Sequence, residues 1–352
     1  MKKKNIIFNV IFLLVVTGLT IFYLIQSGLF NNLGELRNLT LTGVVFLVFI
    51  ILVYVCCDTF IIHGSMKMVN KNAKFFDAFG AYAVGNLGSN VTPWKIGHFP
   101  FASYYYHKKG YNAEEILTIV CNNHMVYSTS LILIYAVSAI IAAANNFSVT
   151  LSEKVIPLYI VGVIGSSMNV LYLGGCILLM HNQPIQHFVM HVEEFFLVKL
   201  KKIDSIEEFE SEKLLKMEVY RKCFYRYTHE FYKYICPILV YFVFILCWLG
   251  LPYFIYLILS NEYFNFKEFA LFFSLSQGMS YVSNIIPVPG GTLVAEFSFI
   301  QIFKLAMGNY VSIAMLIWRI FTYFAFIIIN FIYLIVFVLL SNRRARCEKS
   351  LD

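Results

Sequence analysis

The stretch Ile285-Ile286-Pro287-Val288-Pro289-Gly290-Gly291-Thr292-Leu293-Val294-Ala295-Glu296 interrupts a long apolar region with two prolines and two glycines. A carboxylate, Glu296, stands just after the interruption. Proline leaves backbone carbonyls without partners, and inside a membrane such groups are tolerated only where protein or a water-filled cavity satisfies them. The stretch therefore predicts a polar site at the depth of a membrane.

The composition around this stretch is that of an integral membrane protein. Of the 352 residues, 59% are hydrophobic and 13% are charged, whereas soluble domains average about 45–50% and about 25%. The eight cysteines include no CxxC pair, so neither a disulfide framework, a metal site nor a cofactor is expected. The net charge of +7 indicates topology and attraction to anionic lipid, and no nucleic-acid partner is expected.

Hydropathy predicts six full spans within a single membrane domain that covers residues 1–352. The first span follows three lysines but precedes no A-x-A cleavage site, so it is expected to be a retained helix rather than a signal peptide. Two further apolar stretches, 75–101 and 269–307, are broken by proline and glycine. The six spans are Ile6–Ile25, Leu41–Ile62, Ile116–Ala143, Ile156–Met180, Ile235–Leu259 and Val311–Leu340.

The distribution of lysine and arginine predicts the orientation of these spans. Both termini and the loop 181–234, which holds nine basic residues, are expected in the cytoplasm of a cell-membrane protein. Each broken stretch must then begin and end on one side, with 75–101 opening from the cytoplasm and 269–307 from the exterior. The predicted fold is an all-α polytopic membrane protein with about six full spans plus two re-entrant helical hairpins.

The two broken stretches also resemble each other, and the predicted hairpins are therefore related as an inverted repeat. Each has small polar residues, then proline, then glycine, then an ionisable side chain. Broken helices in inverted repeats are typical of secondary transporters, whose sites lie near the midplane. A chance similarity of two apolar stretches rich in proline and glycine is the alternative. The residues concerned are Thr92, Pro93, Gly97 and His98 in the first stretch and Pro287, Pro289, Gly290, Gly291 and Glu296 in the second.

The motifs point to a known family. Thr92-Pro93-(x)3-Gly97-His98-x-Pro100 resembles the first motif of the lysylphosphatidylglycerol synthase transmembrane family, also called the flippase-like domain. The second stretch, from Pro287 to Glu296 and followed by Arg319, resembles its second motif. The resemblance extends from about Asn5 to Leu340 and includes the membrane half of the multiple peptide resistance factor. It implies a flippase that moves lysyl-phosphatidylglycerol to the outer leaflet, and with it a link to lipid metabolism and antibiotic resistance.

This sequence departs from the family pattern in two places. Family members usually carry Glu-Arg and a nearby Asp after the first motif, whereas Asn122, Asn123 and His124 stand here. No soluble synthase domain is expected after Arg346, and the loop 181–234 is far shorter than a domain of about 100–150 residues. Transfer of lysine from lysyl-tRNA to lipid is therefore not expected of this chain by itself.

The candidate lipid-binding residues each have a structural alternative. Glu296 and Arg319 lie in apolar segments, where an ionisable group costs about 2.5–3.5 kcal/mol and is functional by default. Alternatively, Glu296 caps a half-helix, or the two form an ion pair that only holds helices together. Arg319 is also suited to a lipid phosphate. Lys95 and His98 would meet a phosphate entering from the cytoplasm, unless they extend to the interface as solvated side chains.

Other polar residues are less specific candidates for a binding site. Asn123 and His124 are included as candidates, although a lone histidine is usually satisfied within a helix bundle. Asp58 is a candidate partner for His124 or Lys95. The spacing of His187 and His191 is compatible with a metal, but the neighbouring Glu193 and Glu194 favour a solvated interfacial helix.

Three functions remain open from the sequence. The favoured one is a flippase-like protein that translocates or binds an anionic or aminoacylated phospholipid, or a polyprenyl-linked glycolipid. The second is a phosphatidylglycerol lysyltransferase-type enzyme, and the third is a membrane partner of a separately encoded synthase. Membrane phospholipid is the expected ligand, and the lipid species, the energy source and a homo-oligomeric state stay open.

Overall fold

A computed structural model describes residues 30–151, 154–182, 184–185, 187–188, 191, 206–285 and 288–349. The predicted span Ile6–Ile25 and the candidate Pro287 lie outside these residues. The helices are α1 (Leu41–Val69), α2 (Phe75–Val91), α3 (His98–Lys108), α4 (Ala113–Ala144), α5 (Tyr159–His181), α6 (Ile206–His229), α7 (Ile235–Ser260), α8 (Phe266–Ile285), α9 (Val294–Met307), α10 (Val311–Arg319) and α11 (Ala325–Lys349).

Short elements join several of these helices. One turn of π-helix, Ile320–Phe324, connects α10 to α11 without a break in the helical path. The remaining turns are of the 3₁₀ type and comprise Phe30–Asn38, Pro93–Lys95, Phe231–Tyr234, Pro289–Gly291 and Gly308–Tyr310.

The described part of the chain confirms an all-α polytopic membrane fold. Five helical stretches in it are long and apolar enough to cross a membrane. The first four correspond to predicted spans with ends that differ by up to seven residues, whereas the last begins at Val294 and so joins the returning helix of the second hairpin to the predicted span Val311–Leu340. The five stretches are Leu41–Val69, Ala113–Ala144, Tyr159–Leu178, Phe231–Ser260 and Val294–Ser341.

Local sequence explains where two of the long helices begin. The hydroxyl oxygen of Thr40 accepts a hydrogen bond from the Gly43 N–H at 3.1 Å and so caps α1. Asn112 and Glu115 form a reciprocal capping box at the start of α4. Both caps satisfy backbone donors that would otherwise lack partners at the first turn of each helix.

Two helices form the centre of the bundle. In the apolar windows of α4 and of the stretch containing α7, 56% and 50% of residues are buried, against 11% in α5. Helix α7 packs against α1, α4, α8 and α10, and it continues through Pro252. Large apolar side chains such as Phe49, Leu171 and Ile328 are exposed on outer helices. A hydrocarbon environment accommodates these side chains, as expected for a multi-pass membrane protein.

One element was not predicted. The chain between α4 and α5 forms an antiparallel pair of strands, β1 (Ser148–Leu151) and β2 (Lys154–Pro157), with Ser148 opposite Pro157. The fourth span begins at Tyr159, three residues after the predicted Ile156, because Ile156 lies in β2. Strands of four residues are too short for their pattern to be distinguished from the apolar run that follows.

The two broken stretches are helical hairpins. Helix α2 packs against α3, and α8 packs against α9, so the chain returns alongside itself after each break. Helix α2 also packs along α11, which fixes the first hairpin against the last long helix. Each break is therefore the tip of a hairpin.

Candidate functional site

The tip of the first hairpin is a tight turn between α2 and α3. The Thr92 hydroxyl donates to the Gly88 carbonyl at 2.7 Å and accepts from the Gly97 N–H at 2.8 Å. A Cβ on Gly88 would lie 2.3 Å from the Gly97 carbonyl oxygen, so only glycine allows the two helices to approach this closely. Between these contacts, Trp94 and Lys95 adopt positive φ angles of 50° and 59°.

The tip of the second hairpin also has two left-handed residues after a proline, and a third, Leu293, follows with φ 69° just before α9. Gly290 and Gly291 have φ angles of 63° and 62°, and the Gly291 N–H donates to the Val288 carbonyl at 2.9 Å. A Cβ on Gly290 would lie 2.1 Å from the Tyr323 ring. Glycine is therefore required at Gly290 both by the backbone angle and by the neighbouring side chain.

The structure also defines the register between the two tips. In each, two left-handed residues follow a proline directly, and the returning helix begins five positions after that proline, at His98 and at Val294. The sequence pattern gave only the order of residue types in each stretch. In the register of the structure, His98 corresponds to Val294, and Glu296 lies two positions further along the returning helix.

The two tips contact each other, and a polar cavity lies beside them. The turn Pro93–Lys95 packs against the turn Pro289–Gly291. The cavity has a volume of about 460 Å³ and is lined by residues from both tips and from α1, α2, α4, α5, α7, α8 and the end of α10. Of the predicted site residues, those that line it are Lys95, His98, Gly290, Gly291 and Arg319.

Glu296 and Arg319 form the predicted ion pair. Arg319 Nε lies 2.6 Å from Glu296 Oε1, and the two residues are 5% and 1% exposed. Neither carboxylate oxygen accepts a well-aligned hydrogen bond from the described residues, so the contact is mainly electrostatic. Arg319 also donates, over 3.4 and 3.3 Å, to the carbonyls of Gly290 and Gly291. The pair thus satisfies backbone groups that the break in the helix leaves free.

Lys95 is a cation that, unlike Arg319, has no ionic partner among the described residues. Its side chain is exposed to the cavity, and no hydrogen bond or ion pair joins its ammonium to any described residue. Arg319, a second cation, is its electrostatic neighbour. His98 lies on the same wall, where its Nδ1 is 3.2 Å from the Ser89 hydroxyl. A region with two neighbouring cations and an additional polar ring is suited to an anionic group such as phosphate.

Asp58 and a set of aromatic rings line another part of the cavity. Tyr54 and Asp58 are one turn apart on α1, and both line it. The Tyr54 ring stacks on Phe244 and Trp248 with centroid distances of 4.2 and 5.0 Å. Asp58 was considered as a partner for His124 or Lys95, but neither pair forms among the described residues.

Some predicted residues lie elsewhere. Asn123 and His124 do not line the cavity; His124 is exposed, with its Nε2 3.5 Å from the Ser128 hydroxyl and its ring against Tyr172. Thr92, Pro93, Gly97, Pro289 and Glu296 belong to the turns and their supports rather than to the cavity wall. The prediction treated all of these residues as one group, whereas the structure separates supporting residues from exposed ones.

Sequence reasoning missed an amide network beside the cavity. Asn86 Oδ1 accepts hydrogen bonds from Asn90 and from Asn330, each at 2.9 Å. Asn86 and Asn90 line the cavity, and Asn330 is 2% exposed within the last long helix. A polar side chain in the middle of an apolar span was the signal that could have identified Asn330. The π-helical turn Ile320–Phe324, which carries cavity residues, had no sequence signal.

Comparison with known proteins gives a family. The model of the family described as "Lysylphosphatidylglycerol synthase TM region" matches residues 6–329. The match includes both hairpins, the cavity residues and the Glu296–Arg319 pair. The searches of curated proteins and of solved structures found no match.

Proposed function

The chain belongs to the lysylphosphatidylglycerol synthase transmembrane family, and from this premise we propose that it binds a phospholipid headgroup in the central cavity and passes the lipid between leaflets. The family supports a membrane protein of the lysyl-phosphatidylglycerol pathway. The proposal that this chain binds and moves a lipid is supported by the cavity beside the two touching hairpin tips, which is lined by the unpaired cation of Lys95.

The chemistry of the cavity suits a headgroup. Sites for small ligands have volumes of about 300–1,000 Å³, and this cavity, at about 460 Å³, falls in that range. The Lys95 ammonium has no counterion among the described residues, and an anion in the cavity can form a charge-assisted contact with it. A lipid phosphate supplies that anion and leaves the acyl chains in the membrane.

The hairpins provide a route between leaflets. In the proposed cycle, the first opens the cavity toward one leaflet and the second toward the other, in keeping with the opposite orientations that the charge distribution predicts. The closely packed glycines of the first tip and the ion pair of the second would hold each turn intact while the hairpin moves. The lipid phosphate would remain on Lys95 and His98 during the exchange.

Translocation in liposomes tests the proposal. The purified full chain is reconstituted with a phospholipid carrying a fluorescent group, and an impermeant reductant measures how fast inner-leaflet label reaches the outside. We expect the wild-type chain to accelerate this exchange and Lys95→Gln to slow it roughly tenfold or more, because a charge-assisted phosphate contact is lost. Lys108→Gln is the matched control, since Lys108 is exposed on α3 outside the cavity.

The same liposomes separate the other functions. A transferase would produce lysylated lipid only when phosphatidylglycerol and lysyl-tRNA are both supplied. A membrane partner of a separate synthase would neither move nor modify lipid by itself. Exchange that is no faster with the wild-type chain than in empty liposomes would contradict the proposed translocation.

A further inference from the structure

Two charged side chains that line the cavity, Lys95 and Asp58, have no ionic partner among the described residues. Arg319 is paired with Glu296, which leaves Lys95 and Asp58 as the charged lining residues without an ionic partner among the described residues. Lys95 belongs to the first tip and Asp58 to α1, and no ion pair joins them. A purely anionic ligand would compensate Lys95 and leave Asp58 without an ionic partner.

Asp58 shares the cavity with several aromatic rings. Tyr54 lies one turn before Asp58 on α1, and it stacks on Phe244 and Trp248, which line the same cavity, as does Tyr127. A carboxylate beside aromatic faces is the combination that proteins use for ammonium groups, because charge attraction and cation–π attraction act together. The unpaired basic side chain that suits a phosphate is Lys95, which belongs to the first tip.

We propose that Asp58 and the rings of Tyr54 and Trp248 form an ammonium subsite, so that the cavity selects zwitterionic phospholipid headgroups, which carry a phosphate and an amine. This inference rests on the proposed lipid-binding function and specifies its ligand. The phosphate contacts Lys95 and His98, and the amine contacts Asp58. A ligand of this kind compensates both unpaired charges at once, whereas phosphatidylglycerol, with a neutral glycerol in place of the amine, compensates one.

Intrinsic fluorescence provides the measurement, since two of the three tryptophans, Trp248 and Trp318, line the cavity. The purified chain in detergent is titrated with dihexanoyl phosphatidylethanolamine and with dihexanoyl phosphatidylglycerol, which share acyl chains and phosphate. We expect the wild-type chain to bind the ethanolamine lipid about tenfold more tightly, the contribution of one desolvated ammonium contact.

The variants assign the preference to its residues. In Asp58→Asn, we expect the preference for the ethanolamine lipid to fall to within about twofold, while the affinity for phosphatidylglycerol is unchanged. In Asp58→Glu, we expect the preference to be retained because the negative charge remains. Lys95→Gln should weaken both lipids by similar factors. Asp77→Asn, which removes a carboxylate outside the cavity, is the matched control and should leave both affinities at the wild-type values.

The results distinguish failure of the ammonium subsite from failure of lipid binding. Equal affinities of the wild-type chain for the two lipids, or a preference that survives Asp58→Asn, would overturn the ammonium subsite while lipid binding stands. Absence of binding to both lipids by the wild-type chain would overturn the proposed function and the subsite together. Loss of binding to both lipids in Asp58→Glu as well as Asp58→Asn would assign Asp58 a supporting role and would also overturn the subsite.

Discussion

The two hairpin tips each place two left-handed residues directly after a proline, but they use opposite kinds of residue to do so. After Pro289 the left-handed positions are Gly290 and Gly291, for which positive φ angles are easily accessible. After Pro93 they are Trp94 and Lys95, for which the same angles cost about 1–2 kcal/mol each. Backbone strain of this kind persists only where the surrounding structure enforces it, and it is concentrated at functional positions.

The supports of the two turns differ in a complementary way. The first is held by neutral hydrogen bonds through Thr92, at the position where the second has Val288. The second is held by Arg319, whose charge is neutralised by Glu296. Consequently Arg319, a residue of α10, stabilises the second tip, whereas Lys95, a residue of the first tip, lines the cavity. Stability and binding are thereby divided between the two tips.

The largest expected effect comes from breaking the ion pair of the second tip. Glu296→Gln leaves the buried Arg319 guanidinium uncompensated, and removal of one partner of a buried pair destabilises by about 3–5 kcal/mol. Thermal unfolding of the purified chain in detergent measures this loss. Asp77→Asn, which breaks the more exposed pair with Lys109, is the control and should cost about 1 kcal/mol or less. Equal losses in the two variants would show that Glu296 is not a structural support.

A smaller loss is expected from the glycines of the second tip. Gly290→Ala combines an unfavourable φ with a Cβ placed 2.1 Å from the Tyr323 ring, and we expect destabilisation of about 2–3 kcal/mol. Gly291→Ala has a similar φ but no atom within 3.4 Å, so about 1–2 kcal/mol is expected. The difference in unfolding temperature between the two alanine variants isolates the contact with Tyr323. If Gly291→Ala proved the more harmful, the described packing of the tip would be contradicted.

Only part of the fold and of the candidate site could be predicted from the sequence. The breaks, the helices around them and the Glu296–Arg319 pair were predictable, because proline, glycine and charge within apolar runs are unusual on physical grounds alone. The division between Arg319 as a support and Lys95 as an exposed cation was not, since it depends on which side chains meet across helices far apart in sequence. The same applies to Asp58, whose aromatic neighbours Phe244 and Trp248 come from α7.

The smallest effect on stability, and the most specific test of the comparison, comes from giving the first tip the glycines of the second. In Trp94→Gly and in Lys95→Gly the left-handed strain of about 1–2 kcal/mol is relieved, while the greater freedom of glycine in the unfolded chain costs about 0.5–1 kcal/mol. Both variants should therefore be as stable as the wild-type chain or more stable, by up to about 1.5 kcal/mol in the free energy of unfolding. Only Lys95 lines the cavity, so Lys95→Gly should lose lipid translocation in liposomes and Trp94→Gly should keep it. Two variants that are matched in backbone but differ in activity would show that the strain at Lys95 is retained for its ammonium. Equal activity in both would instead show that the first tip is a turn and nothing more.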